Sequence, residues 1–310
     1  MLILASMSLY AGGSAGAPQG QSRTVTMQDI CGECKVEKFV QCGKFLEGPA
    51  FDKDGNLWMV SIEGGTIEKV TPDGICKTVA STGGEPQGLK FHKDGRLFGV
   101  DRKRGVFTLD TKTGKVDDYV RYFQNENFRG PNDLIFDRNG GIYFTDPWGS
   151  SMLNARGGVY YISPEPEKKI TRIADSLHFP NGITLSPDEK TLYIADFAAQ
   201  LVIAVPIESP GVVNIGFAHV AAYMSGGWGP DGMAVDANGN VYVAHYLGGE
   251  VVVIDAGGFV VGTIPLPAGS GMQTTNVAFH GGFLYITEAG KNEVWRVKTK
   301  IKGGMLFQDR

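Results

Sequence analysis

One phrase recurs six times along the chain: a Pro or Gly turn, a polar residue, a short apolar run, a DG- or NG-type turn, then an aromatic-rich strand. The copies read GPAFDKDGNLWMVS from Gly48, PQGLKFHKDGRLFGVD from Pro86, PNDLIFDRNGGIYFTD from Pro131, PNGITLSPDEKTLYIAD from Pro180, PDGMAVDANGNVYVAH from Pro230 and TNVAFHGGFLYITEA from Thr275. Counted from Pro49, successive copies start 37 to 50 residues apart. A unit of that size, made of strands and tight turns, cannot bury its own apolar face and is stable only against neighbours. The pattern predicts an all-β fold: a six-bladed β-propeller with four-stranded antiparallel blades. The extended segment 36–41 precedes the first copy, and the last copy ends short, near Lys300. The N-terminal strand is therefore expected to complete the sixth blade and close the ring, which removes the open sheet edges.

Composition narrows the partners. A net charge of −4 and a pI near 5.8 argue against nucleic acid or an anionic membrane. No apolar stretch approaches the ~18–20 residues that cross a bilayer. Residues 1–30 read as a leader or disordered segment and 31–310 as a single propeller domain. The opening MLILASMSLYAGGSAGA (1–17) has an apolar run but no Lys or Arg before Arg23, so it lacks the positive start of a secretory signal. The chain is accordingly expected in the cytoplasm; export is the alternative if residues 1–17 act as a signal. Export would permit a Cys31–Cys34 or a Cys42–Cys76 disulfide. The Cys31-Gly-Glu-Cys34 spacing has no second CxxC to make a zinc knuckle. Aspartate-rich turns such as Asp52-Lys53-Asp54-Gly55-Asn56 begin like a calcium loop but lack its closing Glu, and are expected to be hairpin turns.

Aligned on the proline, the next position is Gln87, Asn132, Asn181, Asp231 and, after Thr275, Asn276. In the first copy that position is Ala50, with an acid displaced to Glu47. Asn and Asp are common beside turns, which explains any one of them. It does not explain an amide or acid in one register of nearly every blade. In a closed propeller that register converges on the central channel. Oxygen-only donors without His or Cys suit a hard divalent cation, calcium first, with Mg, Mn, Fe(II) or Zn able to occupy the same oxygens.

The segments Glu47-Gly48-Pro49, Gly130-Pro131-Asn132-Asp133, Phe144-Thr145-Asp146-Pro147-Trp148-Gly149, Phe179-Pro180-Asn181-Gly182 with Ser186-Pro187-Asp188, and Pro230-Asp231-Gly232-Met233 resemble the SMP-30/gluconolactonase/luciferin-regenerating family. The resemblance runs from about Phe39 to Val297. It implies a six-bladed propeller with one divalent metal in the tunnel, held by Glu47, Asn132, Asn181 and Asp231. It also implies an arginine near the second ligand for substrate oxygens, for which Arg129 is the nearest match, though Gly130-Pro131 lengthens its spacing to Asn132. Asp146 matches a family aspartate expected behind the ligands, and Gln87 is placed with it.

Such a site points to hydrolysis of a small lactone, a sugar lactone or a related ring, to its hydroxy acid. The metal would polarise the carbonyl while Asp231 activates water; direct attack by the Asp231 carboxylate is the alternative route. His178, Trp148, Trp228 and Asn276 are expected around the substrate, and His178 or His245 is a candidate acid for the leaving alkoxide. No GxSxG elbow is present. Two other functions fit the fold: phosphotriester or fluorophosphate hydrolysis at the same metal, and a propeller that only binds a partner.

Overall fold

The turns set the architecture. Asp52 Oδ1 accepts the N–H groups of Asp54 at 3.0 Å and Asn56 at 2.8 Å, and Gly55 takes a φ of 80° that a side chain would oppose. Asp137 and Asp236 repeat this arrangement at the turns of the third and fifth copies. Asp52 Oδ2 is taken by the Trp58 indole N–H at 2.8 Å, so this carboxylate closes a hairpin, as its sequence suggests.

In the computed structural model, which describes residues 25–310, these hairpins build six four-stranded antiparallel blades. Blade 1 comprises Leu46–Phe51, Leu57–Ser61, Thr66–Val70 and Cys76–Ser81; blade 2 comprises Pro86–Phe91, Leu97–Asp101, Gly105–Leu109 and Val116–Val120. Blade 3 comprises Leu134–Phe136, Ile142–Asp146, Gly157–Ile162 and Ile170–Leu177. Blade 4 runs Pro180–Leu185, Thr191–Asp196, Leu201–Ser209 and His219–Tyr223, and blade 5 runs Gly229–Val235, Val241–Tyr246, Glu250–Ile254 and Val260–Pro265. Blade 6 takes three strands from the C-terminal end, Thr274–His280, Phe283–Glu288 and Glu293–Lys298, and its outermost strand, Val36–Gln41, from the other end of the chain.

Each inner strand touches those of both neighbouring blades, the sixth meeting the first, so the ring is closed. Six apolar clusters form the core, one between each adjacent pair of blades; Phe98, Phe136 and Phe144 lie in the one between blades 2 and 3. The inner strands approach so closely that glycine is obligatory at points of contact. A β-carbon at Gly182 would overlap the Asp231 carbonyl oxygen and stand 2.9 Å from Gly232 Cα. Gly182→Ala is therefore expected to cost about 1–3 kcal/mol by overpacking. Thermal unfolding checks this: an unchanged midpoint would mean that the inner strands stand further apart.

The N-terminal boundary differs from the sequence reading. The first 24 residues lie outside the described part, but residues 25–30 are not a detached leader. The helix Met27–Ile30 is capped by Thr26 and rests on the outer strand of blade 5. Ile30 is fully buried among Ile264, Trp295 and Val297, because blades 5 and 6 leave an apolar seam that their own strands do not cover. Cys31 pairs with Cys34 behind this helix, and Cys42 with Cys76, tying the closing strand to blade 1.

The far mouth of the channel is lined by the C-terminal segment. The segment Lys302–Arg310 crosses it, with Gly304 N–H donating to Val235 O at 2.8 Å, the Gln308 amide to Phe51 O at 3.0 Å and Arg310 paired with Glu189 at 3.0 Å. Phe307 is buried against His92 and Phe136.

Candidate functional site

The inner strands begin at the opposite mouth, and there their ladders break. Register shifts fall between Glu47 and Ala50, Pro86 and Leu89, Pro180 and Ile183, Pro230 and Met233, and Thr274 and Asn276. A bulge releases a residue from the pleat and re-aims its side chain. Glu47, Gln87, Asn181, Asp231 and Asn276 are all buried at these points, and Asn132 is buried just ahead of the blade 3 ladder, which starts at Leu134.

The ladders correct two sequence alignments. Leu46 pairs with Ser61 as Pro86 pairs with Asp101, so Glu47 stands in the register of Gln87 and is not displaced. Pro49 lies within the bulge, three residues after Leu46, and is no counterpart of Pro86. In blade 6 Thr274 pairs with Glu288, which makes Thr275 the counterpart of Gln87 and puts Asn276 one step further along. Asn276 therefore matches Asp133: each places its Oδ1 2.8 Å from the N–H of the following residue.

Glu47 Oε2 accepts the Asn276 amide at 2.8 Å and the Gly48 N–H. Burial, and then the Asp133 carboxylate, push the Glu47 acid up to about 8 against those bonds and the Lys90 charge. Burial also drives Asp231 well above the usual carboxylate range, helped by Glu47 and Asp133 and opposed by the Asn181 amide and the Arg102 charge. Asp133 is raised too, first by burial. Three acids and two amides thus share one buried volume. Among the described residues, two buried side-chain oxygens have no hydrogen-bond partner, and both belong here: Asp133 Oδ2 and Asn181 Oδ1. Crowded carboxylates with orphaned oxygens are the donor set a hard cation satisfies. Asn132 lies in the same register, its backbone bonded to Gly88 at 2.8 Å and Thr145 at 3.0 Å. The Gln87 amide instead turns back to Glu85 O at 3.3 Å.

Acids at the ends of the second strands hold the loops that deliver these residues. Asp146 accepts the N–H groups of Arg129 at 3.0 Å and Gly130 at 2.7 Å, fixing the approach to Asn132. Asp196 does the same for His178 at 3.1 Å and Phe179 at 2.7 Å, fixing the approach to Asn181. The His178 ring also leans on Asp196, with Nδ1 3.2 Å from Oδ2. His245 occupies the corresponding place in blade 5, fully buried, with Nδ1 3.3 Å from Glu250.

The rim is aromatic. Trp148 and Trp228 are exposed, and Trp228 leans on Tyr246 with ring centroids 6.0 Å apart. The Arg129 guanidinium bonds to the Arg156 carbonyl, away from the acids. The arginine whose charge reaches Asp231 and Glu47 is Arg102, its guanidinium 4.1 Å from the Trp148 ring centroid. A signal for it existed in the chain. The residues at or just past the ends of the second strands overhang this mouth, and of Ile62, Arg102, Pro147, Phe197, Tyr246 and Ala289 only Arg102 is charged.

Two other features lie elsewhere. A cavity of about 450 Å³ occupies the channel between the polar ring and the C-terminal segment, walled by Phe91, Leu185, Val235 and Phe279 with Lys90 beside them. Cys42, Cys76 and Glu68 cluster on blade 1, away from the channel, with the two sulfurs bonded to each other.

Residues 45–290, which span blades 1 to 5 and the two inner strands of blade 6, match the description of the SMP-30/Gluconolactonase/LRE-like region. The chain belongs to this family. Among curated relatives of this SMP-30/gluconolactonase-like propeller, lactonase drp35 of Staphylococcus saprophyticus is 35% identical over 284 residues, covering 86% of each chain. Its Staphylococcus haemolyticus counterpart is 34% identical over 251 residues, covering 77% of this chain and 76% of the relative. Among solved structures, a gluconolactonase from Xanthomonas campestris superposes with a TM-score of 0.77 at 25% identity, covering 88% of this chain and 92% of its own. Regucalcin from Agrobacterium tumefaciens, a calcium-binding protein, shares the fold with a TM-score of 0.74 at 22% identity, covering 88% and 98%.

Proposed function

We propose that this SMP-30/gluconolactonase-like propeller is a divalent-metal-dependent lactonase that opens a small lactone to its hydroxy acid. The observation that carries this reading is the buried group of Glu47, Asp231 and Asp133, with Asn181 Oδ1 and Asp133 Oδ2 unpartnered. Glu47, Asn132, Asn181 and Asp231 would hold the cation, and all-oxygen donors favour calcium. Bound there, the cation supplies Lewis acidity to the lactone carbonyl.

The rest is work for side chains. The rim at Trp148 and Trp228 seats the ring over the acids and narrows solvent access. Asp231 takes a proton from the attacking water as its oxygen bonds to the carbonyl carbon. The ring C–O bond then breaks, and the same proton passes to the departing alkoxide. Asp146 and Asp196 take no part in bond-making; they keep the loops before Asn132 and Asn181 in place.

A panel of aldonolactones, simple γ-lactones and a paraoxon-like ester, run with and without EDTA, tests the proposal. At least one lactone is expected to turn over, with more than roughly a hundredfold loss on chelation and recovery on adding calcium. Turnover indifferent to chelation would remove the metal mechanism. Activity on the phosphotriester alone would move the reading to that ester class.

A further inference from the structure

We propose that Arg102 is the anion-binding group of this site, and that it makes the enzyme prefer lactones carrying a second, anionic oxygen group such as a carboxylate. The inference rests on the lactonase reading and goes beyond it, because nothing in that reading fixes the charge of the substrate.

The geometry is specific. Arg102 follows Asp101, the last residue of the second strand of blade 2, where the chain overhangs the mouth. Its Cγ lies 3.4 Å from where a β-carbon on Gly130 would stand, and that β-carbon would also crowd Trp148 Cβ at 2.6 Å. Gly130 thus leaves room for the Arg102–Trp148 stack two residues before Asn132. The indole covers one face of the guanidinium, with 4.1 Å to the ring centroid. The Arg102 side chain keeps 23% of its surface open.

Its one ionic partner is weak. Arg102 Nη1 stands 3.5 Å from Glu85 Oε2, while Glu85 Oε1 is already engaged by Lys103 at 2.9 Å. A guanidinium carries five N–H donors in a planar fork matched to a carboxylate, and here the Glu85 contact at 3.5 Å is the ion pair it makes among the described residues. Glu47, Asp231 and Asp133 are opposed by Lys90 and Arg102, so a divalent cation in the ring leaves the filled site one positive charge in excess. An anionic substituent on the lactone is then attracted to the site, and Arg102 is the group placed to hold it. Arg129, spent on the Arg156 carbonyl, is not.

The test compares unsubstituted γ-butyrolactone with γ-butyrolactone bearing a ring carboxylate, using the calcium-loaded full-length protein. In the parent, kcat/KM is expected to favour the carboxylated lactone by at least about thirtyfold. In Arg102→Gln that ratio falls to near one through KM; Arg102→Lys lies between, and Arg129→Gln keeps the parent ratio. Calorimetric binding of the ring-opened hydroxy dicarboxylate gives a readout independent of turnover, expected to weaken about twentyfold in Arg102→Gln. A ratio and a product affinity unchanged in both Arg102 variants overturn the proposal. If the parent opens neither lactone, the lactonase reading fails, and the dicarboxylate affinity of the parent against both variants still decides whether Arg102 binds the anion.

Discussion

Asp231→Asn is expected to lower lactone turnover by three orders of magnitude or more while leaving a folded propeller. The substitution removes the base and one of two charged ligands at once, and loss of a group at the reacting centre typically costs that much. It should also act in the opposite direction on stability. Asp231 and Glu47 are buried acids of like charge; Glu47 pushes Asp231 toward its neutral form, and Asp133 pushes Glu47 the same way. An isosteric amide relieves that repulsion, so the metal-free variant should melt higher than the metal-free parent, by roughly 2–5 °C. Glu47→Gln should share both signs. Kinetics, metal analysis of the purified proteins and calorimetry in EDTA check the pair of effects. A variant with near-parental turnover and full metal content would sink the assignment of these carboxylates.

The second large effect is the pH dependence of the metal-free protein. Glu47 titrates near 8 in the fold against 4.5 for an ordinary glutamate, so its native pKa is raised. Below about pH 4.5 the acid is neutral in both states and costs nothing. As pH climbs toward 8 the unfolded chain releases the proton first, the native state binds more protons, and stability falls across that window. Asp231 and Asp133 shift in the same direction and deepen the loss. The EDTA-treated protein should therefore melt lower at pH 8 than at pH 5.5, by roughly 5 °C or more. Calcium at a thousand times its dissociation constant would return about 4 kcal/mol, most visibly at pH 8. Calorimetry at three pH values with calcium or EDTA reads both. A metal-free protein most stable at pH 8 would mean that these acids already find partners.

Much of this was legible from residue types. The DG and NG turns and the recurring apolar runs specify hairpins, and a period of that length specifies blades. The prediction that 36–41 completes blade 6 follows from the short last copy, and the ladder to Glu293–Lys298 carries it. Registers were less legible, because proline marks a turn without fixing which side of a bulge it occupies. Pro49 sits within the bulge of blade 1 where Pro86 precedes that of blade 2, and Thr275 sits within that of blade 6. Asp133 went unselected because its equivalents in four of the other blades are glycines, Gly48, Gly88, Gly182 and Gly232, and Asn276 in blade 6 was aligned one step off. Arg102 was hidden for another reason: it approaches Asp231 from blade 2 across the ring, so chain proximity to Asn132 favoured Arg129. The segment Lys302–Arg310 has no strand pattern and is placed by contacts with five different turns and strand ends.

The pairing of Val36–Gln41 with Glu293–Lys298 sets an order of events during synthesis. The strand made ahead of blade 1 must wait for a partner made after five whole blades, and through that wait its backbone is an open template for any other extended chain. Its own composition guards it: Glu37 and Lys38 interrupt the valines and phenylalanine that would otherwise favour aggregation. Once the partner strand has been made, those same charges meet Arg296 and Glu293 across the seam. The residues that keep the waiting strand solitary thus become the ones that latch it.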